Sequence, residues 1–277
     1  MSATRVAFLA VSAVVLVGTV YSIAYNTYLD TSNPLLTHLP HPLGKTHRWA
    51  SKGNPLNVYF IKKAWGWTTA AFLLAWSTGP PSTRTLPRLT RWLTATATWL
   101  VFTAWFFGPA LIERIVLASG GECVLSLPDG AGAMSLPAEY CHARTSISPA
   151  THPALFASSS AFVLPAEWTG ATPRLRKGHD VSGHIFLLTL SILLLAQQLA
   201  PSFALTRWST PHRVAVSANL ALIAIWLFAT GTTSVYFHSP GEKISGYLLG
   251  LACFALAQIP GDIVASITAP AEKPHLS

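Results

Sequence analysis

Apolar residues run through this chain in long unbroken stretches, separated by short polar connections that carry proline and glycine. A helix needs about 20 mostly apolar residues to cross the hydrocarbon of a bilayer. Six runs come near that length, at about 6–25, 60–78, 92–118, 183–200, 213–236 and 244–265. Sustained apolar runs of this kind read as spanning helices. Lys62 and Lys63 make the second run the weakest, although long basic side chains near a helix end can reach back to the interface. The first run also admits a signal-peptide reading, with Arg5 as a basic lead and Ser22-Ile23-Ala24 as a cleavage site. Its apolar core exceeds the roughly 7–15 residues of such leaders and further spans follow, which favours an anchor. Segments at 33–42, 79–87, 128–173 and 270–274 punctuate the connections with proline and glycine. The longest connection, 119–180, is rich in Ser, Ala and Pro without strong periodicity, and reads as irregular with short helical pieces at most. The predicted fold is an all-α integral membrane protein, a single domain over 1–277 with six transmembrane helices in one bundle.

Composition agrees. Of 277 residues, 51% are hydrophobic and only 10% charged, where soluble domains carry about 25% charged residues. The net charge of +8 does not point to nucleic acid, because the basic residues cluster between spans and report topology instead. Arg84, Arg88 and Arg91 follow the second run, and Arg207 and Arg213 follow the fourth, with no acid among them. Six spans put both connections on one side, which the positive-inside rule makes cytosolic. Both termini then lie there too, in agreement with Arg5 and Lys273, while Lys45, Arg48 and Lys52 pull weakly the other way. The 119–180 connection faces the lumen or exterior, and it holds Cys123 and Cys141. A non-cytosolic compartment permits a disulfide between them; two free thiols are the alternative. Cys253, inside the last run, reads as a small core residue.

Chemistry gathers at two span boundaries on that same face. In "GHDVSGHIF", residues 178–186, Asp180 and His184 are four apart and would share a helical face. In "VYFHSPGEKISG", residues 235–246, His238 and Glu242 have the same spacing, although Pro240 argues against a helical turn. A histidine oriented by a carboxylate is a competent base or nucleophile, and a second can protonate a leaving group. Ser182 and Gly183 leave room for backbone N–H groups to face an anion at a helix start. Single interfacial histidines are the plain alternative. Metal ligation by Asp180, His184 and His238 is a further one, unsupported by any dense ligand spacing.

The tripeptide Ser182-Gly183-His184 is similar to the second motif of the lipid phosphate phosphatases. More specifically, "LNVYFIKKAWGWT" (56–68), "GEC" with "YC" in the long connection, "GHDVSGHIFLLT" (178–189) and "VYFHSPGEKISGYLLG" (235–250) together resemble the fat storage-inducing transmembrane (FIT) family. The resemblance implies a lipid phosphate phosphatase-like core in an endoplasmic reticulum protein. It also implies a lumenal hydrolase cleaving fatty acyl-coenzyme A at its diphosphate, to acyl-4'-phosphopantetheine and adenosine 3',5'-bisphosphate. It implies roles in lipid-droplet formation, phospholipid balance and reticulum structure, and contact with diacylglycerol and triacylglycerol. The family's active histidines fall on His184 and His238, with no metal or other cofactor. By analogy with the phosphatases, His238 is the nucleophile and His184 the general acid. The phosphatase arginine before the third-motif histidine has no counterpart in residues 231–237, while Glu242 answers the phosphatase aspartate. Lys62, Lys63 and Lys243 are the candidate phosphate-binding replacements. Asn57 supports the site or caps the second span, Glu113 beside Arg114 is a weaker site candidate, and His179 reads as a bystander. A lysophosphatidate or phosphatidate phosphatase fits the Ser-Gly-His motif equally well. A non-enzymatic neutral-lipid binder is the other class.

Overall fold

The computed structural model describes residues 1–29, 41–104, 109–128, 132–157, 165 and 167–268. Lys273, the segments 33–40 and 270–274, and residues 105–108 in the middle of the third apolar run lie outside the described residues. The chain is mostly helical. Helix α1 (Ala3–Ala24) starts at Ser2, whose hydroxyl accepts the Arg5 N–H at 3.3 Å. Its buried positions Ala7, Val11, Val15, Gly18 and Ser22 recur at helical spacing, so one stripe packs inward while Leu9, Leu16 and Val20 stay exposed. A π-turn at Leu56–Phe60 and a 3-10 turn at Ile61–Lys63 lead into α2 (Ala64–Thr78). Next come α3 (Leu86–Thr103) and α4 (Leu111–Ala118).

The connection expected to be irregular is instead a small folded unit. Strands β1 (Glu122–Ser126), β2 (Ala133–Leu136) and β3 (Arg174–Arg176) form an antiparallel sheet in the order β2-β1-β3, with short helices α5 (Ala138–Ala143) and α6 (Pro153–Ala157) between β2 and β3. Cys123 and Cys141 are joined by a disulfide, with their Cα atoms 5.8 Å apart, beside Leu125, Leu136 and Ile147. Strands this short offer too few positions for a two-residue period to show in the sequence.

Three long helices complete the chain: α7 (Gly183–Phe203), α8 (Thr210–Tyr236) and α9 (Pro240–Thr268). Helix α7 is central, since 78% of its apolar window is buried against 33%, 39% and 22% in α1, α8 and α9. Its Ile185, Leu188 and Ile192 face α1, α2 and α8, and its Phe186, Leu190 and Leu194 face Trp65, Ala95 and Cys253. Among the described residues four helices are long and apolar enough to cross a membrane: α1, α7, α8 and α9. Helix α2 has 15 residues, about 22 Å at 1.5 Å per residue and short of the roughly 30 Å of hydrocarbon. Helix α3 carries Arg88 and Arg91, which its packing employs. Buried Arg88 donates from Nε to the Gln198 side chain at 2.8 Å, and Arg91 pairs with Asp262 at 2.6 Å.

Candidate active site

Two helix starts, and the few residues before each, bring the site together. Only Phe237–Ser239 joins α8 to α9, and within that link His238 takes a left-handed backbone, φ 63°. Such a conformation costs a non-glycine residue about 1–2 kcal/mol, and strain of this kind gathers at functional sites. Pro240 occupies the first helical position of α9, where its missing N–H would have gone unpaired anyway. The Glu242 carboxylate reaches back to accept the Ser239 N–H at 2.8 Å, the returning half of a capping box. That cap carries Glu242 Oε2 to 3.4 Å from His238 Nδ1. Helix α9 begins only at Pro240 and His238 is left-handed, so no helical turn links His238 to Glu242, as the proline argued; the cap brings the two side chains together instead. The Nδ1 atom is buried and lies in ion-pair range of Glu242 without the alignment of a hydrogen bond.

The second start is reached through a tight turn after β3, with Lys177 and Gly178 both left-handed (φ 57° and 67°). A Cβ on Gly178 would run into the Val116 carbonyl oxygen, so glycine alone fits. Beyond the turn, the Asp180 N–H donates to Glu242 Oε1 at 3.3 Å and the Ser182 N–H donates to the Glu242 carbonyl at 3.1 Å. Asp180 Oδ2 comes to 4.0 Å from His238 Nδ1. Glu242, 3% exposed, is thus the hub that ties the approach to α7, the start of α9 and the His238 ring together. Ser182 caps α7, its hydroxyl accepting the Ile185 N–H at 3.4 Å. Gly246 lets the two helices meet, because a Cβ there would stand 2.5 Å from the Ser182 carbonyl oxygen.

His184 is the second residue of α7, and the charges of His238 and Lys62 act on its ring, although it is not among the residues that line the cavity beside His238. Among the described residues, no protein acceptor takes the N–H groups of Gly183 and His184. Asp180 does not share a helical face with His184, because α7 begins at Gly183; its partner is His238. Burial and the nearby Glu242 carboxylate raise the Asp180 carboxyl above its ordinary value, against the opposing pull of His238, His179 and Arg176.

His238 and Asp180 line a cavity of about 550 Å³. Five basic side chains share its wall: Lys52, Arg144, Arg174, Arg176 and Lys177. Arg144 pairs with Glu113 at 2.6 Å and Lys177 with Glu122 at 3.0 Å. Strand β3 accounts for two of the others: Arg174 and Arg176 alternate with Leu175, which packs against the core around the disulfide and also meets the cavity wall.

Other sequence candidates lie elsewhere. The Lys243 ammonium is fully buried, donates to Ser22 Oγ at 2.6 Å and stands 5.0 Å over the Tyr28 ring, so it is a bundle contact. Lys62 and Lys63 are exposed, and of the two only Lys62 is among the charges acting on His184. Buried Asn57 donates to the Lys52 carbonyl at 2.7 Å and receives no capping role on α2. Glu113 lines the cavity, held by Arg144 and by His142 at 3.3 Å. His179 donates its backbone N–H to Ser119 Oγ and pairs Nε2 with Ser245 Oγ at 2.8 Å, which tethers this segment to the end of α4 and to α9. The cavity cations were missed, although three of the four residues in "RLRK" (174–177), directly before the histidine motif, are basic. His41 was missed too. Its Nδ1 accepts the Leu43 N–H at 3.0 Å, so the other nitrogen carries the proton and Nε2 donates to the Tyr236 carbonyl at 2.8 Å, steadying the turn before His238. Among the described residues no group of three or more His, Cys, Asp or Glu could hold a metal ion.

A largely helical chain with long apolar helices, and a histidine held between two carboxylates at the wall of a basic cavity, belongs to the class of membrane-embedded proteins equipped for phosphate chemistry. Comparison with known proteins narrows this. The family model for the fat storage-inducing transmembrane protein matches residues 45–219 and 208–257, and the chain belongs to that family. Acyl-coenzyme A diphosphatase fit1 of Schizosaccharomyces pombe is 26% identical over 215 residues, covering 77% of this chain and 74% of that protein. Acyl-coenzyme A diphosphatase FITM2 of Xenopus tropicalis is 30% identical over 212 residues, covering 73% and 68%. Fat storage-inducing transmembrane protein 1 of Homo sapiens is 28% identical over 211 residues, covering 73% and 61%. No solved structure matches the chain.

Proposed function

We propose that this protein is a fatty acyl-coenzyme A diphosphatase of the endoplasmic reticulum membrane, yielding acyl-4'-phosphopantetheine and adenosine 3',5'-bisphosphate. The observation that carries the reading is the His238 ring, backed by Glu242 and Asp180, at the wall of a cavity bearing five basic side chains. A lysophosphatidate headgroup has one phosphate, whereas coenzyme A brings three, and so many cations suit the larger anion.

With Nδ1 buried beside Glu242, the lone pair available for attack is that of Nε2. It bonds to one phosphorus of the diphosphate while the bridging P–O bond breaks, and His184 gives a proton to the departing phosphate oxygen. His184 then takes a proton from water, which displaces the phosphate from His238 and restores the ring. The N–H groups of Gly183 and His184 are suited to the charge on the transferring phosphoryl oxygens.

Six crossings are supported by the helical turns that extend α2 back to Leu56 and by the pairing of α3 with α4. Cytosolic termini and a lumenal site are supported by the arginines after α2 and α7, and by a disulfide that an oxidising compartment permits. An apolar groove of about 730 Å³ between α1 and α8, lined by Val14, Val17, Phe228 and Val235, favours contact with diacylglycerol, triacylglycerol or the acyl chain itself. Such contacts fit a role in lipid-droplet formation.

Purified protein should hydrolyse oleoyl-coenzyme A in preference to lysophosphatidate, in the presence of chelator, and both His184→Ala and His238→Ala should abolish turnover. Wild-type rates in either variant would remove the histidine assignment. Preferred cleavage of lysophosphatidate would replace the substrate.

A further inference from the structure

Five cations and two carboxylates, Glu113 and Asp180, line the cavity. Of its five cations, two are paired with glutamates, but Lys52, Arg174 and Arg176 form no ion pair among the described residues. Their charges act on one another: Arg174 and Arg176 oppose the Lys52 ammonium, and Arg174 opposes the Arg176 guanidinium. Convergent like charges are unfavourable in the free protein, and a bound polyanion relieves them. Asp180 acts on His238 and also on Lys52 and Arg176. A phosphate cannot occupy the place of that carboxylate, so the cavity has two anion-accepting sides, one at His238 and one at the three cations.

We infer that Arg174, Arg176 and Lys52 form a subsite for the 3'-phosphate of the coenzyme A nucleotide, distinct from the diphosphate position at His238. This rests on the diphosphatase reading and adds a specificity determinant to it. A phosphate monoester carries about 1.5–2 negative charges near neutral pH, more than either phosphate of a diester-like diphosphate. Two guanidinium groups on one face of β3 match the fork geometry and charge of such a group. The strand that presents them pairs with β1, whose Cys123 carries the disulfide, and Leu175 between them packs against the core around that bridge.

The test uses the full chain in detergent, with oleoyl-coenzyme A and its 3'-dephospho analogue as substrates, and the variants Arg174→Gln, Arg176→Gln and their double. Wild type should prefer the 3'-phosphorylated substrate by roughly tenfold or more in kcat/KM, the scale of one charge-assisted contact, and the double variant should bring that ratio near unity. A wild-type ratio near unity would overturn the subsite, as would a double variant that loses both substrates by the same factor, since the cations would then serve the diphosphate. If the double variant fails to fold, the single variants and the wild-type ratio decide. Binding of adenosine 3',5'-bisphosphate against adenosine 5'-monophosphate supplies a readout free of catalysis. Tighter bisphosphate binding that depends on Arg176, in a protein that does not cleave acyl-coenzyme A, would sink the diphosphatase reading and leave the subsite standing. Cleavage without any 3'-phosphate preference would do the reverse.

Discussion

Glu242→Gln isolates the charge behind His238 while keeping side-chain size. Attack through Nε2 makes the ring cationic, and the carboxylate 3.4 Å from Nδ1 stabilises that charge. A full unit pair at 3.4 Å is worth about 5 kcal/mol at an effective dielectric near 20. The ring carries only part of a full charge in the transition state, so about 2–4 kcal/mol should be lost, roughly 30- to 1,000-fold in kcat. Glu242 does not line the cavity, so KM should hardly move and kcat and kcat/KM should fall together. The amide also leaves one of the Ser239 and Asp180 N–H groups facing a donor, at a stability cost of about 1–3 kcal/mol. Acyl-4'-phosphopantetheine formation from oleoyl-coenzyme A, followed by mass spectrometry beside a melting curve, reads both effects. A folded variant with wild-type kcat, or one whose loss lies wholly in KM, would refute the reasoning.

Three further expectations follow from the packing. Gly246→Ala puts a Cβ 2.5 Å from the Ser182 carbonyl oxygen; overpacking there should destabilise by about 1–3 kcal/mol despite better helix propensity, and an unchanged melting temperature with full activity would contradict the contact. Reducing the Cys123–Cys141 disulfide, which closes a sequence separation of 18 residues, should cost about 3 kcal/mol; reductant should lower the melting temperature of wild type and leave Cys123→Ser/Cys141→Ser unmoved. Burial holds the His41 imidazole below its ordinary value of about 6.5, against the Tyr236 carbonyl that it donates to. Its contribution to stability is therefore present above about pH 6.5 and lost as pH falls through the lower folded value, so His41→Gln should flatten the acid side of a melting-temperature profile, and an unchanged slope would count against it.

Much of this fold is legible in the chain because spanning helices need long apolar runs, and α1, α7, α8 and α9 supply them. The second and third runs are harder. Lysines and arginines sit within reach of their ends, and the tertiary partners of Arg88 and Arg91 are Gln198 and Asp262, more than a hundred residues away. The two histidines stand out because ionisable groups at span boundaries are costly. Their surroundings do not. Lys243 looks like a phosphate ligand beside Glu242, yet its ammonium turns to Ser22 on α1.

By itself, the sequence determined the apolar helices and membership in the fat storage-inducing transmembrane family, and it singled out His184 and His238 at two helix starts, because each is written in local runs and motifs. Tertiary structure decided which carboxylates back His238, that Pro240 starts a helix, and that Arg174 and Arg176 line the cavity from a strand paired with β1. Those choices rest on short strands, one capping box and contacts between distant segments. No local period records them, since they exist only once the chain has packed.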